Sequence, residues 1–435
     1  MQKEGRRKPA SLKEFEIISV LRTFSTIFSF QIKKMPRVLR ILNRLAVGGP
    51  VLNACYLTKY MDPDFETILV VGEREDHEKS ADYLAHDLGI KYVTVKGMGR
   101  SINPASDYFA YRELKKLIKS FKPDIVHTHA AKPGAVGRLA AASEKVPVIL
   151  HTFHGHVFHS YFNSAKTKFF INTERYLAKK SDAIIAISEQ QQKELVEDFR
   201  IAPSEKFRIV PLGFDLDRFR VNQEEKRKKF RTEFNIADDE IVIGIIGRLV
   251  PVKNHYLFLK AIKYVFDNSG KKVKAFIIGD GETRKDLENV AKEVNISFST
   301  ENSSEHKHPL VFTSWRSDVD FINAGLDIVC LTSFNEGTPV SLIEAQAANK
   351  PIVSTRVGGI ADIVMEGRTA LLADVNDTEM FCQHLLNLVE DDNLRIQIGG
   401  NSHEHVMSHF SYQRLVNDMS QLYYELLEKK NARIR

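Results

Sequence analysis

The chain has 435 residues, 43% of them hydrophobic and 27% charged, which is typical of a soluble globular protein with two domains. No run approaches the roughly 20 apolar residues of a membrane-spanning helix, and the 3 cysteines are widely separated, which argues against a disulfide framework and for a reducing, cytoplasmic compartment. The net charge of the chain is +6, but residues 1–40, which hold ten basic and three acidic side chains, carry +7 by themselves. The remainder carries −1, so nucleic-acid binding is not expected.

Residues 1–34 differ in pattern from the rest of the chain. Apolar side chains recur there at helical spacing among Lys and Arg, namely Leu12, Phe15, Ile18, Leu21, Phe24 and Phe28. An amphipathic helix on an anionic membrane has this pattern, which makes 12–34 a candidate peripheral membrane contact. The alternatives are a poorly ordered extension and a start site at Met35, and the lack of a small-residue cleavage site argues against a signal peptide.

From Arg37 onward, short runs rich in Val and Ile alternate with longer amphipathic stretches, which predicts an α/β protein with parallel sheets covered by helices on both faces. The predicted strands are 38–42, 67–71, 125–127, 148–152, 183–187 and 207–210, then 241–246, 273–278, 310–312, 327–331, 352–354 and 370–372. The charged segment 222–239 predicts an inter-domain connection with a solvated helix, which divides the chain into domains 35–221 and 240–410 and a terminal segment 411–435. Segment 297–308 is polar and aperiodic, which predicts a surface loop.

A stretch with two carboxylates follows the predicted strand 327–331. Thr338 is a good N-cap and Pro339 fits a first helical position, so a helix is predicted to begin there and to offer free amides to an anion. Glu336 then lies in the loop before the helix, and Glu344 lies about two turns into it. The two acids are placed to reach different parts of one elongated ligand, unless they are an ordinary loop acid and a helix-surface acid.

Two cations follow the predicted strand 241–246, at the strand end where α/β domains bind their ligands. Arg248 and Lys253 there could stabilise the charge of a leaving diphosphate, as a metal ion does. The alternative is a pair of solvated surface charges.

Glycines follow the first predicted strand in the same way. Gly48 and Gly49 allow a close backbone approach to a ligand, but the segment lacks the Lys of a P-loop and the Gly-x-Gly-x-x-Gly spacing of a dinucleotide site.

A run rich in histidine, at 151, 154, 156 and 159, begins at the end of a predicted strand. Substrate contact by His154, structural histidines and metal ligation are all compatible with it, although no cysteine or carboxylate accompanies the run. Three Asp-x-Asp triplets, at 62–64, 215–217 and 318–320, do not directly follow a buried strand, and no metal site is predicted.

With these pieces together, the chain resembles glycosyltransferase family 4, the retaining enzymes of the GT-B fold, from Arg37 to about Leu427. The motifs in order are Gly48-Gly-Pro, Asp124-Ile-Val-His-Thr-His, Lys132-Pro-Gly-Ala-Val-Gly-Arg, His154-Gly-His, Val210-Pro-Leu-Gly-Phe-Asp, Gly247-Arg-Leu with Lys253, Gly279-Asp-Gly, Trp315-Arg-Ser-Asp-Val, and Glu336 with Glu344. The resemblance implies two Rossmann-like, doubly wound parallel-sheet domains facing a central cleft, with the C-terminal helix returning to the first domain.

The resemblance also implies a role for each matching residue. Arg248 and Lys253 bind the donor diphosphate, and Glu344 binds the ribose. Glu336 contacts the transferred sugar together with the backbone of 337–340, that is, of Gly337, Thr338, Pro339 and Val340. Pro339 contributes no N–H there. His154 lies beside the reacting end of that sugar, and Gly48 and Gly49 lie under the phosphates.

The resemblance therefore implies retaining transfer from a nucleotide-diphosphate sugar, UDP-linked in preference to GDP-linked, to a glycan or lipid-linked acceptor, with no metal or other cofactor. The site of action implied is the cytoplasm or the inner face of the cytoplasmic membrane. A GT-B-type epimerase or phosphorylase and a non-catalytic nucleotide-sugar-binding protein are the alternatives.

Overall fold

The computed structural model describes residues 35–46, 48–74, 80–99, 103–155, 164–303, 306–400 and 402–434. The strands are β1 (Arg37–Leu42), β2 (Glu66–Gly72), β3 (Tyr92–Val95), β4 (Ile125–His129), β5 (Val148–Thr152), β6 (Ala183–Ala186), β7 (Phe207–Ile209), β8 (Ile241–Ile246), β9 (Val273–Ile278), β10 (Phe298–Thr300), β11 (Leu310–Phe312), β12 (Ile328–Leu331), β13 (Ile352–Thr355) and β14 (Ala370–Ala373). The α-helices are α1 (Gly49–Tyr60), α2 (Asp82–Asp87), α3 (Pro104–Phe121), α4 (Ala131–Ser143), α5 (Ser164–Ala178), α6 (Glu189–Lys193), α7 (Gln223–Glu233), α8 (His255–Asn268), α9 (Arg284–Glu293), α10 (Val319–Gly325), α11 (Val340–Ala347), α12 (Thr378–Glu390), α13 (Asp392–Gly399), α14 (Ser402–Phe410) and α15 (Tyr412–Ile434).

The strands form two 7-stranded parallel sheets, in the orders β3-β2-β1-β4-β5-β6-β7 and β10-β11-β9-β8-β12-β13-β14. In each sheet the winding direction reverses beside the first strand, between β1 and β4 and between β8 and β12. Ligands of doubly wound sheets bind at such switch points, outside the carboxyl ends of the strands. The loops that follow these four strands are therefore the places to look for a site.

Helices cover both faces of the first sheet. On one face, apolar residues of α3 and α4, such as Leu114 and Val136, pack on Leu39 and Val126 of the strands. On the other face the cover comes from the far end of the chain, because α15 contributes Leu415, Met419, Leu422, Tyr423 and Leu426 to a cluster with β1, β4 and β5. The C-terminal helix is thus part of the first domain's core.

The second sheet is covered by α8, α9 and α12 on one face and by α7, α10, α11 and α14 on the other. Helix α7 lies in the segment predicted as a solvated connection, but Phe230 and Phe234 are buried, and their rings lie 5.2 Å and 5.0 Å from that of Phe276 in β9. Some of the charged side chains of α7 are turned inward and paired, because Arg231 is buried and donates to the Ala237 carbonyl, and Lys226 pairs with Asp320 at 2.7 Å. The charged run therefore suggested a more solvated helix than the one observed.

The two sheets face each other through the loops at their carboxyl ends. Ile187, which follows β6, belongs to one apolar cluster with Ile360 and Ile363, which follow β13. The chain passes between the domains twice, and the passages run side by side, since the Phe214 amide donates to the Phe410 carbonyl (2.8 Å) and the Tyr412 amide donates to the Phe214 carbonyl (3.0 Å). The arrangement is the predicted one of two doubly wound domains about a central cleft.

Two edge strands were missed by the sequence analysis. The segment 297–308 is not only a loop, because β10 pairs there with β11 in parallel. Strand β3, which pairs with β2, was not predicted at all. Both strands are short and lie at sheet edges, and three of the four residues of β3 are exposed, so the continuous apolar signal of a buried parallel strand is absent.

Candidate functional site

The loop after β8 presents Arg248 from a rigid backbone. The Gly247 amide donates to the Ile278 carbonyl (3.0 Å) and the Leu249 amide donates to the Asp280 carbonyl (2.9 Å), which ties this loop to the one after β9. Gly279 has φ +137, and a Cβ there would lie 1.9 Å from the Gly247 carbonyl oxygen, so this close approach requires glycine. Arg248 is exposed, and its guanidinium makes no hydrogen bond or ion pair with the part of the chain that the structure describes.

Lys253 and Glu336 come together although 83 residues separate them. The Lys253 Nζ donates to Glu336 Oε1 at 2.5 Å, and the exposed fractions of the two side chains are 21% and 9%. The same carboxylate oxygen accepts from the Ser333 hydroxyl (2.5 Å). Two further bonds join the loops, from the Thr332 hydroxyl to the Lys253 carbonyl (2.9 Å) and from the Phe334 amide to the Val252 carbonyl (2.8 Å). The loops after β8 and β12 therefore form one unit that holds a cation against a carboxylate.

A pair of glycines holds this unit from the other side. The Gly359 amide donates to the Glu336 carbonyl (3.1 Å). Gly358 has φ +52, and a Cβ on it would lie 1.9 Å from the Glu336 carbonyl oxygen, while a Cβ on Gly359 would lie 2.1 Å from that of Gly337. Any side chain at either position would push the loop that carries Glu336 out of place.

The helix after Glu336 begins one residue later than predicted. Thr338 is not its N-cap, because Pro339 has ψ 103 and is extended, so α11 begins at Val340 with no side-chain cap. Proline offers no side-chain oxygen for capping, and the first-turn amides of an uncapped helix keep their capacity to bind an anion. Gly337 is exposed and Thr338 is half-buried beside this helix end.

Glu344 lies in the middle of α11 and is partly buried. Burial raises the pKa of this carboxyl to about 7, against the opposing charge of Arg218 and with an added rise from Asp320. Asp320 itself is paired with Lys226 at 2.7 Å. The Glu344 carboxyl group makes no hydrogen bond with the residues that the structure covers, and such a group can serve ligand hydroxyls.

Histidines line the switch point of the first sheet. His154, which follows β5, pairs through Nε2 with Nδ1 of His129 at the end of β4, at 2.9 Å. Burial lowers the pKa of His154 to about 3, and it lowers the pKa of His129 well below its ordinary value. Both rings are therefore neutral at physiological pH, which makes His154 unsuited to act as a cation. Residues 156 and 159 of the histidine run lie outside the described residues.

Gly48 and Gly49 follow β1, at the same switch point. Gly48 is extended and exposed, and α1 begins at Gly49 without a side-chain cap. A Cβ on Gly49 would lie 3.6 Å from Leu212, a residue of the first passage between the domains. The uncapped start of α1 thus lies close to the junction of the two domains.

Within the described residues, no three His, Cys, Asp or Glu side chains are grouped so that they could hold a metal ion. The two acids of the Asp-x-Asp triplet at 318–320 are occupied by cations, Asp318 by Arg316 and Asp320 by Lys226. No helix in the same ranges is long and apolar enough to cross a membrane. The predicted contact segment 12–34 lies outside the described residues.

Three features of the site had not been predicted. Ser333 and the Gly358–Gly359 pair hold Glu336, and His129 holds His154. His129 was visible as the last residue of the motif at 124–129, but nothing in the sequence indicated that its ring would contact His154.

Comparisons with known proteins find relatives over most of the chain. Residues 47–218 match the family model described as Glycosyltransferase Family 4, and residues 226–405 match that of Glycosyl transferases group 1. The chain is 28% identical over 353 residues to the Escherichia coli UDP-Gal:alpha-D-GlcNAc-diphosphoundecaprenol alpha-1,3-galactosyltransferase, with 80% of this chain and 87% of the relative covered. It is 26% identical to the capsular polysaccharide biosynthesis glycosyltransferase CapM of Staphylococcus aureus, with 75% and 85% covered.

The fold has solved counterparts as well. The crystal structure of Anabaena Alr3699/HepE in complex with UDP superposes with a TM-score of 0.75 at 17% identity, covering 89% of this chain and 100% of that one. The two family models together span most of the described chain, and each matches one of two facing doubly wound domains. The chain therefore belongs to the family 4 glycosyltransferases of the GT-B fold.

Proposed function

We propose that this glycosyltransferase moves a hexose from a UDP-sugar to a glycan or lipid-linked acceptor in polysaccharide biosynthesis, with retention of anomeric configuration and without a metal ion. The observation that carries the proposal is the contact between Lys253 and Glu336, 2.5 Å apart on two loops at the switch point of the second sheet. A cation for a diphosphate and a carboxylate for sugar hydroxyls are thereby held side by side, next to an uncapped helix start.

Each candidate residue has a role in this proposal. Arg248 and Lys253 bind the diphosphate and stabilise the charge that grows on it as the sugar leaves. Glu336 binds hydroxyls of the transferred sugar together with amides of 337–340, and Glu344 binds the ribose.

The remaining site residues belong to the first domain. Gly48 and Gly49 let the backbone approach the phosphates, because neither carries a side chain. His154 lies beside the reacting end of the sugar. Its pKa of about 3 suits a neutral hydrogen-bonding partner and not a base that titrates near neutral pH.

In the proposed reaction, the bond between the anomeric carbon and the diphosphate oxygen breaks, and the acceptor hydroxyl forms its new bond on the same face. The acceptor proton passes to the leaving diphosphate oxygen, so no protein base is required. Glu336 supports this course, because its Oε1 is engaged by both Lys253 and Ser333, an arrangement suited to binding and less to nucleophilic attack.

The donor and acceptor classes rest on similarity. The names of the E. coli relative and of the Anabaena structure contain UDP-Gal and UDP, and the E. coli name also contains a diphosphoundecaprenol acceptor. A lipid-linked acceptor is presented at a membrane, and the basic, apolar pattern of 12–34 suits a peripheral contact with its cytoplasmic face.

The first experiment is a thermal-unfolding screen with UDP-, GDP- and ADP-sugars, because a ligand that binds only the folded state raises the unfolding temperature. We expect UDP-sugars to stabilise the protein most. The preferred donor is then incubated with lipid-linked acceptors, and NMR of the product gives the anomeric configuration. Inverted product excludes the retaining mechanism, and interconversion of UDP-sugars without acceptor indicates an epimerase instead.

A further inference from the structure

A row of buried polar side chains leads to His154 along the face of the first sheet that α15 covers. Arg40 in β1 donates to His127 Nδ1 (3.1 Å), and the Tyr423 hydroxyl of α15 lies 2.7 Å from the same nitrogen. The His127 ring centroid lies 4.2 Å from that of His129. The His129 ring in turn stacks on that of His154, with centroids 5.2 Å apart and planes at 24°.

The proton positions in this row of side chains follow from the donors available. Arginine has only donors, so Nδ1 of His127 must accept, and the His127 proton is on Nε2, from which it donates to the Thr152 hydroxyl at 2.7 Å. His129 and His154 are neutral because they are buried, so one proton lies between His129 Nδ1 and His154 Nε2.

The direction of that last bond depends on which nitrogens remain. His129 Nε2 and His154 Nδ1 are buried and have no hydrogen-bond partner among the residues that the structure describes. If His154 donated, the His129 proton would be on Nε2, deep in the domain and without an acceptor, and orphaned buried N–H groups are rarer than orphaned acceptors. If His129 donates, the remaining N–H is at His154 Nδ1, where a bound donor can supply the acceptor oxygen.

We propose that His129 is a positioning residue, which donates from Nδ1 to His154 Nε2 and so fixes His154 as the tautomer with its proton on Nδ1, ready to donate to an oxygen of the bound nucleotide sugar. The inference rests on the proposed role of His154 in the transfer reaction. The partner of one imidazole nitrogen determines which form of the ring is present and what the other nitrogen can offer. His129 acts only through His154 and is assigned no contact with the substrate.

Two substitutions at His129 and one control test this. His129→Leu removes the donor, whereas His129→Asn keeps an amide near the position of Nδ1. His151→Leu is the control, because His151 is equally buried in the neighbouring strand but bonds to the Thr128 hydroxyl (2.9 Å) and not to His154. We expect kcat of His129→Leu to fall about 100-fold with little change in the donor KM, since a misplaced group costs about that much. His129→Asn is expected to recover about tenfold of this, and His151→Leu to keep its kcat at a temperature where it remains folded.

Histidine-selective ¹⁵N NMR of the unsubstituted protein gives a readout that needs no folded variant at position 129. The expected spectrum shows His154 protonated on Nδ1, with its signals assigned by their loss in His154→Gln. A proton on Nε2 of His154, wild-type kcat in His129→Leu, or an equal loss in His151→Leu overturns the proposal. If His154→Gln itself transfers sugar at the parental rate, the proposed role of His154 fails. If His154→Gln is inactive while His129→Leu is fully active, the role of His154 stands and only the positioning role of His129 fails.

Discussion

Substituting Gly358 by alanine tests whether the position of the Glu336 loop governs activity. The new Cβ would lie 1.9 Å from the Glu336 carbonyl oxygen, whereas real Cβ atoms essentially never come closer than 3.0 Å, so the loop must move by roughly 1 Å. A displacement of that size at a reacting centre costs about 100-fold in rate. The positive φ of +52 adds backbone strain of about 1 kcal/mol. We therefore expect kcat/KM of Gly358→Ala to fall about 100-fold while the protein remains folded.

Gly367→Ala is the matched control for this experiment. Gly367 also has a positive φ, +72, but a Cβ there meets nothing within 4 Å, so the variant carries the strain without the collision. Transfer of labelled sugar from the preferred donor, measured beside thermal unfolding of each variant, separates the two effects. Parental kcat/KM in Gly358→Ala, or an equal loss in Gly367→Ala, would refute the link between this contact and the position of Glu336.

Three further predictions follow from the site. Lys253→Met removes a cation from the proposed diphosphate site and is expected to lower kcat about 100-fold or more, whereas Lys263→Met, which breaks the exposed pair with Asp267, leaves kcat unchanged in the same assay. Glu344→Gln tests stability. Because burial raises the Glu344 pKa from 4.5 to about 7, the free energy of unfolding of the parent is expected to fall as the pH rises through this range. The free energy of unfolding of the variant, measured in urea, is expected to lack that decline. A decline of equal size in the variant would contradict the assignment. Dialysis against a chelator is expected to leave turnover unchanged, because protein cations stabilise the leaving group; a loss that Mg²⁺ or Mn²⁺ restores would show that a metal is required.

The fold was predictable where burial on both faces makes a strand continuously apolar. Strand β8 is an unbroken run of this kind except for Gly244, and its predicted and observed bounds coincide. Edge strands such as β10 lack that signal, since only one of its three residues is buried. Helix α7 was misjudged in a related way, because its charged residues outnumber the two phenylalanines that attach it to the second domain.

For the site, the sequence indicated which residues follow the strands but not which of them meet. Arg248, Lys253 and Glu336 were expected from their places at strand ends, and two of them are in contact. The supporting contacts depend on backbone geometry that has no local signal, such as the approach of Gly358 to Glu336 from 22 positions further along the chain. The helix start at Thr338 was misplaced by one residue because the extended ψ of Pro339 is set by the loop and not by propensity.

The return of α15 to the first sheet has a consequence for the order of folding. Val38 and Leu57 share a cluster with Leu415, Met419 and Leu426, so part of the first domain's core is made by residues that follow the second domain in sequence. The second domain is contiguous in sequence, whereas the first domain cannot complete its core until α15, which follows the second domain, has been synthesised. Removing the last 20 or so residues would therefore damage the N-terminal half of the protein, the part farthest away in the sequence.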